Sequence, residues 1–262
     1  MPKGTGFQSI IEPHNCDTLE YLRLGMISLE RGQSWSGRTE DFEAALVVLE
    51  GSAHIRAGGQ IWRSVGTRKD VFKGKASSVY VPIFSEYEVE AVDGDVRLVV
   101  AGVKADVKYE PFLIAPDDVV VNHRGRDTWQ REVHDIIGDN GDGRVQRIVI
   151  GETYGEPGAW SSYPSHKHDE VRDQETQMEE VYFFQMNPKN GFAIQLLYTE
   201  DGAIDEAHIV RHGDSFPIHK GYHPVVSAGG YQAYYLWFMG GAHGRTLKPY
   251  TEMQHRWLDQ AK

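Results

Sequence analysis

Residues 180–198 read EVYFFQMNPKNGFAIQLLY, two short runs of β-branched and aromatic residues separated by Asn, Pro and Gly. Such runs, bounded by turn-forming residues, are typical of β-strands. Only residues 17–24 and 251–262 have patterns that favour short helices. Many short strands without alternating helices predict an all-β fold of the sandwich, barrel or jelly-roll type. Similar apolar runs lie at 44–49, 78–81, 96–101, 145–150 and 234–239.

A weak internal echo predicts that the chain consists of two similar halves. Residues 79–89 (VYVPIFSEYEV) resemble residues 216–225 (FPIHKGYHPV), and each segment leads through a small loop into an apolar run that ends in glycine. The region between them, 104–144, is richer in charge and glycine, which is typical of a junction. Two halves of about 130 residues match the usual size of a domain. The alternative is one larger sandwich without duplication.

The composition excludes several classes of function. The chain has 262 residues, of which 40% are hydrophobic and 25% charged, with a net charge of −11. Without a basic stripe, we expect no nucleic-acid partner and no binding to anionic membrane surfaces. No run reaches the about 20 apolar residues that a membrane-spanning helix needs. The single cysteine, Cys16, and the lack of an apolar signal segment at the start predict a cytoplasmic location.

The densest group of chemically active residues is WSSYPSHKHD at 160–169. In a strand, residues i and i+2 share a face, so His166 and His168 are expected to point the same way while Lys167 points to the other side. Two imidazoles on one face are a ready pair of metal ligands. Imidazole suits Zn, Mn, Fe, Ni or Cu.

A carboxylate and a third histidine follow further along the chain. Glu179 and Glu180 open the next apolar run, and His223 follows Gly221 in a predicted turn. A His-x-His pair alone is weak evidence in a chain with 12 histidines. Together with a glutamate and a Gly-x-His turn, it predicts a site for one divalent metal ion.

This arrangement resembles the two sequence motifs of the cupin family. Glu180 is favoured over Glu179 because six residues separate Glu180 from Asn187, which stands where the family has a glycine. Eleven residues lie between His168 and Glu180, where the family has three or four, so the choice between the two glutamates stays open. The resemblance implies barrels of the jelly-roll type and the metal ligands His166, His168, Glu180 and His223.

A second resemblance covers nearly the whole chain. The blocks REVH at 131–134, GET at 151–153, PGAWSSYPSHKHD at 157–169 and KGYHPV at 220–225 are similar to the 5-deoxyglucuronate isomerase family of bacterial myo-inositol breakdown. The resemblance implies a bicupin, and we place a metal-free barrel at 1–125 and a metal-binding barrel at 126–262. It further implies a uronate substrate, a Zn or Mn ion (with Fe or Ni as alternatives) and conversion of 5-deoxy-D-glucuronate to 5-dehydro-2-deoxy-D-gluconate.

An aldose–ketose conversion moves hydrogen between C1 and C2, and a bound cation can polarise the carbonyl. A general base then carries a proton between the carbons, unless a hydride shift makes the base unnecessary. A cation is expected to bind the substrate carboxylate. The candidates for the proton relay are Glu152, Tyr163, Tyr182 and Tyr222, and those for the carboxylate are Arg131 and Lys220.

The first half lacks a comparable set of ligands, so we expect it to serve packing and homo-oligomer formation through its strand edges. Three other functions stay open, because a fold alone does not determine a reaction. One is the related uronate isomerase of pectin breakdown. The others are a metal-dependent dioxygenase and a sugar-binding bicupin without catalysis.

Overall fold

The computed structural model describes residues 5–12 and 14–260. In its first half, ten antiparallel strands follow one another along the chain. They are β1 (Gly6–Ile11), β2 (Leu22–Leu29), β3 (Ser34–Arg38), β4 (Phe42–Glu50), β5 (Ala53–Ala57), β6 (Gln60–Val65), β7 (Ser77–Val81), β8 (Glu86–Ala91), β9 (Val96–Lys104) and β10 (Phe112–Ile114).

The second half contains twelve strands and one four-residue helix at the end. They are β11 (Val120–Arg124), β12 (Arg131–Ile137), β13 (Val149–Gly155), β14 (Trp160–Ser161), β15 (His166–Lys167), β16 (Glu179–Asn187), β17 (Phe192–Tyr198), β18 (Asp205–Arg211), β19 (Ser215–Ile218), β20 (Val225–Ser227), β21 (Gln232–Gly240), β22 (Tyr250–Thr251) and α1 (Trp257–Gln260). Four single-turn 3₁₀ helices lie at Pro116–Asp118, Asp127–Trp129, Asp139–Gly141 and Met253–His255.

The two halves repeat one arrangement of strands. The first half has a six-stranded sheet in the order β1-β2-β9-β4-β7-β10 and a four-stranded sheet in the order β3-β8-β5-β6. The second half has β11-β12-β13-β21-β16-β19 and β14-β20-β17-β18, with β15 and β22 paired beside them. The echo at 79–89 and 216–225 falls on β7-β8 and on β19-β20, which occupy matching places. Two jelly rolls are therefore confirmed, and the alternative of a single sandwich is wrong.

Three apolar clusters hold the molecule together. One lies inside each barrel, and the third fills the space between the two six-stranded sheets. Strands β4 and β16 contribute alternate residues to both sides: Val47 and Phe183 face the other barrel, whereas Val48 and Phe184 face their own interior. Both faces of these sheets are buried, so their central strands are apolar on both sides.

Three expectations need comment. The helix expected at 17–24 is wrong, because β2 begins at Leu22 and pairs with β9. The strand expected at 145–150 begins instead at Val149. Pairing changes from the first large sheet to the second between β10 and β11, and the division at residue 125 stays a prediction. Within the described residues, no helix is long and apolar enough to cross a membrane.

Candidate metal centre

A cavity of about 540 Å³ opens into the second barrel. The inner faces of β12, β16 and β21 form one wall, and the segment 162–168 forms another. The apolar cluster of this barrel runs from the cavity wall, where it includes Tyr182 and Trp237, to the other end of β16, where it includes Phe184 and Met186. The polar residues that line the cavity, among them Glu180, make this strand end the polar end of the barrel.

Three buried side chains converge at this polar end. Ligand atoms of His168, Glu180 and His223 all lie within 4.8 Å of one another. Glu180 Oε2 is 3.1 Å from His168 Nε2 and 3.2 Å from His223 Nε2. This is the only such group of three or more among the residues that the structure describes.

The backbone fixes which nitrogen of each imidazole faces the centre. His168 Nδ1 lies 2.8 Å from the Met178 carbonyl oxygen, and His223 Nδ1 lies 2.9 Å from that of Gly221. A carbonyl can only accept, so each Nδ1 carries a proton, and each Nε2 is the atom left to face a metal ion. Metal-binding histidines are commonly held in this way.

His166 lies beside this group, at a larger distance. Its ring centroid is 5.0 Å from that of His223 and 6.4 Å from that of His168. Its Nδ1 faces the Pro164 carbonyl at 3.4 Å, and the ring lines the cavity. Burial and the two neighbouring imidazoles lower the pKa of His166 to about 3, so the ring is neutral. His166 is thus available as a fourth ligand on the open side.

The charges at the site suit a cation. Burial alone would raise the pKa of Glu180, but the adjacent rings of His168 and His223 outweigh it and hold the pKa at about 2. His223 Nε2 is a buried nitrogen for which the described residues provide no hydrogen bond of good geometry. A carboxylate and imidazole nitrogens are ligands that suit Zn, Mn, Fe or Ni. The residues present therefore could hold a metal ion.

The structure separates Glu180 from Glu179, a choice that the sequence left open. Neighbouring strand residues point to opposite faces, and Glu179 points towards the first barrel. Its two carboxylate oxygens accept hydrogen bonds from the backbone N–H groups of Glu20 and Tyr21, each at 2.8 Å. Glu179 is therefore occupied in an interface between the barrels.

Three other predicted residues line the cavity: Arg131, Tyr163 and Tyr182. The Tyr182 hydroxyl is 2.6 Å from Ser162 Oγ, and burial raises its pKa well above 10. Arg131 donates to the Trp129 carbonyl at 3.1 Å, and burial lowers the pKa of its guanidinium. No described carboxylate lies within salt-bridge distance of Arg131, so its charge is available to a ligand.

The other three predicted residues are not in the cavity, and their expected roles need correction. Glu152 points to the opposite face of β13 and forms a buried ion pair with Arg68 of the first barrel, with oxygen–nitrogen distances of 2.6 and 3.0 Å. The Tyr222 hydroxyl donates to Glu200 at 2.6 Å, on the side away from His223. Lys220 is exposed on the turn.

The cavity also contains polar residues that the sequence did not single out. Arg124 lies on the edge strand β11 and Asp135 on its neighbour β12, where Asn122 donates a hydrogen bond to Asp135 at 2.8 Å. Burial raises the pKa of Asp135. The alternation along β12 placed Asp135 on the same face as Arg131, and that was the one available signal.

Fold and site together define a bicupin with a candidate metal centre in its second barrel. The chain belongs to the KduI/IolB family, which it matches over residues 3–258. It is 38% identical over 245 residues to the 5-deoxy-glucuronate isomerase of Geobacillus thermodenitrificans, covering 93% of this chain and 88% of that protein. The protein of the same name from Bacillus subtilis strain 168 is 32% identical over 242 residues, covering 92% and 88%.

Solved structures agree with this assignment. The crystal structure of an IolB-like protein from Salmonella typhimurium LT2 superposes with a TM-score of 0.91 at 35% identity, covering 98% of this chain and 97% of that one. An oxalate decarboxylase from Lactobacillus farciminis, in complex with formate, superposes with a TM-score of 0.69 at 10% identity, covering 100% and 88%. The second similarity concerns the fold alone.

Proposed function

We propose that the chain is an aldose–ketose isomerase that converts 5-deoxy-D-glucuronate to 5-dehydro-2-deoxy-D-gluconate in inositol catabolism. Relatives that match over about nine-tenths of the chain carry the name 5-deoxy-glucuronate isomerase. The observation that carries the proposal is the convergence of His168, Glu180 and His223 beside a cavity that His168 and Glu180 line together with two arginines. A sugar acid offers a carbonyl with a neighbouring hydroxyl to the metal ligands and a carboxylate to the arginines.

His168, Glu180 and His223 would hold the metal ion, with His166 as the fourth ligand. When bound, a divalent cation supplies Lewis acidity, which polarises a carbonyl and stabilises negative charge on oxygen. The carbonyl contacts of His168 Nδ1 and His223 Nδ1 orient both rings for this ion before it binds.

The remaining cavity residues bind and orient the substrate. Arg131 can take the carboxylate in two parallel hydrogen bonds, and Arg124 adds positive charge at the same end. Tyr182 stays protonated at neutral pH because burial raises its pKa. It therefore acts as a hydrogen-bond donor to a substrate oxygen rather than as a base.

The choice between a proton relay and a hydride shift turns on where a base could stand. Asp135 and Glu180 are the two carboxylates among the described residues that line the cavity. Strands β13 and β21 separate β12 from β16, which places the two backbones roughly 14 Å apart at the usual spacing. Asp135 is thus remote from the reacting carbons, and this favours the hydride shift.

An isomerisation assay tests the proposal. The purified protein, with its metal content measured by elemental analysis, is given 5-deoxy-D-glucuronate with and without a chelator. We expect turnover that chelation abolishes and that a divalent ion restores, with equal rates in air and under nitrogen. Full activity after complete demetallation would contradict the metal role, and a requirement for oxygen would favour a dioxygenase. Faster turnover of the pectin-derived 4-deoxy-5-keto uronate would change the substrate assignment.

A second assay in deuterated water separates the two routes. A hydride shift carries the hydrogen directly from C2 to C1, so the product should contain no solvent deuterium. Deuterium at C1 would instead require a proton-relaying base, for which Tyr163 also lines the cavity.

A further inference from the structure

The loop 169–178, which lies between His168 and Glu180 in the chain, is closed on itself by hydrogen bonds and ion pairs. Glu175 Oε1 accepts hydrogen bonds from the backbone N–H groups of Asp169 at 2.8 Å and Glu170 at 3.0 Å. The same oxygen lies 3.1 Å from Lys167 Nζ, and Lys167 also binds Asp169 and Glu170. Arg172 Nε lies 3.0 Å from the other oxygen of Glu175.

Both ends of this loop are linked by hydrogen bonds to histidines of the candidate metal centre, one end directly and the other through Gly221. At one end, Met178 exchanges two hydrogen bonds with His168: its carbonyl accepts from Nδ1, and its N–H donates to the His168 carbonyl at 2.7 Å. At the other end, Asp169 Oδ2 accepts from the Gly221 N–H at 2.8 Å. Gly221 in turn provides the carbonyl that accepts from His223 Nδ1.

Gly221 is the most conformationally free residue in the hydrogen-bonded path from Asp169 to His223. Its φ is +91°, and a Cβ there would lie 2.6 Å from the Tyr198 carbonyl oxygen, so the position requires glycine. The Tyr222 N–H binds that same oxygen at 2.8 Å and fixes the peptide after Gly221. Asp169 fixes the peptide before it. These two hydrogen bonds together restrain the backbone torsions of Gly221, which has no side chain to limit them.

We propose that Asp169 is a positioning residue of the metal centre: it holds the Gly221 turn so that the Gly221 carbonyl sets the ring of His223. Lys167 serves the same end by binding the second oxygen of Asp169. The loop then holds two of the ligands, His168 and His223, in position. This inference rests on the metal site of the proposed function.

The test compares metal affinity in two variants of the same loop. Asp169→Ala removes the contact with Gly221. Glu170→Ala is the matched control, because Glu170 binds Lys167 and Arg172 but has no hydrogen bond to Gly221. The dissociation constant of Co²⁺ is measured by competition with a chelating dye, and the absorption spectrum of the bound Co²⁺ reports its ligand geometry. Circular dichroism of the metal-free proteins verifies folding.

We expect Asp169→Ala to weaken Co²⁺ binding by about 10–100-fold and to alter the spectrum, which is the usual effect of losing a group that orients a ligand. Glu170→Ala should match the wild type in both. Equal affinity and identical spectra for all three proteins would overturn the inference. Failure of the wild type itself to bind Co²⁺ would instead count against the proposed metal site.

Asp169→Asn keeps an acceptor for the Gly221 N–H and provides the answer if the alanine variant does not fold. We expect the asparagine variant to bind Co²⁺ with an affinity and a spectrum close to those of the wild type. A folded Asp169→Asn protein whose affinity matches that of the Glu180→Ala protein would contradict the positioning role, because the acceptor would then contribute nothing.

Discussion

Glu43 of the first barrel and Glu179 of the second each accept backbone hydrogen bonds from the other half of the chain. Glu43, at the start of β4, accepts hydrogen bonds from the backbone N–H groups of residues 146, 147 and 148 in the second half, at 2.6–2.9 Å. Glu179, at the start of β16, accepts from residues 20 and 21 in the first half. Their strand partners Val103 and Gly240 face each other so closely that a Cβ on Gly240 would lie 2.2 Å from Val103. The two carboxylates are thus related by the duplication itself.

Replacing Glu43 by alanine should destabilise the whole molecule. Three backbone donors and the Tyr80 hydroxyl, 2.8 Å away, would lose their acceptor, and each unsatisfied buried group costs about 1–3 kcal/mol. We expect urea denaturation to show a loss of at least about 3 kcal/mol. Glu179→Ala is the comparison and should lose less, because its two donors lie nearer the surface. A larger loss for Glu179→Ala would contradict this ranking.

Glu152 should matter for the stability of the fold and not for metal binding. Both members of its ion pair with Arg68 are almost fully buried, and the hydroxyls of Tyr154 and Tyr234 donate to Glu152 at 2.9 and 2.7 Å. Removing one partner of such a pair costs about 3–5 kcal/mol, because the other charge stays buried. Glu152→Ala should therefore unfold at much lower urea concentration while its folded fraction still binds metal with wild-type affinity. Native stability together with lost turnover would restore the catalytic role.

Glu152 lies on the face of β13 that the sequence could not predict. The His-x-His pair and the Gly-x-His turn carry their own local geometry, so His168 and His223 could be predicted together. The face of a central strand could not, because β13 is buried on both sides and no alternation of polar and apolar residues marks the cavity side. Tyr222 failed for a simpler reason: it neighbours His223 in an extended segment, so the two side chains point apart.

The ligands should differ in their importance for metal binding. His168 belongs to the tight group around Glu180, whereas His166 lies at its open side. We expect His168→Ala to weaken binding of Mn²⁺ or Co²⁺ far more than His166→Ala does, as measured by dye competition. His255→Ala, which alters a partly exposed histidine outside the cavity, controls for changes in general histidine content. Stronger binding by His168→Ala than by His166→Ala would reverse the proposed order.

Arg131 should determine affinity for the carboxylate end of the substrate. Hydrogen bonds to a charged group contribute about 1.5–3 kcal/mol, which corresponds to roughly 10–150-fold in an equilibrium constant. Arg131→Met is therefore expected to lower kcat/KM by that factor, mainly through KM, in steady-state assays. Lys220→Met, at the exposed turn, should leave both constants unchanged. An equal effect of the two substitutions would contradict the assignment of Arg131.

His212 should make folding sensitive to mild acid. Burial lowers the pKa of this ring below its ordinary value of 6.5, and the Met186 N–H lies 3.1 Å from its Nδ1. Below about pH 6.5 the unfolded chain takes up a proton that the folded chain resists, so stability falls as the pH falls. The free energy of unfolding should decrease more between pH 7.5 and 5.5 in the wild type than in His212→Gln. Parallel curves for the two proteins would show that His212 contributes nothing.

The apolar layer between the barrels has a consequence for the chain as a whole. Deleting either half would expose the apolar wall of the other half to water. Each half therefore has to be kept for the stability of its neighbour, whatever part it takes in the reaction.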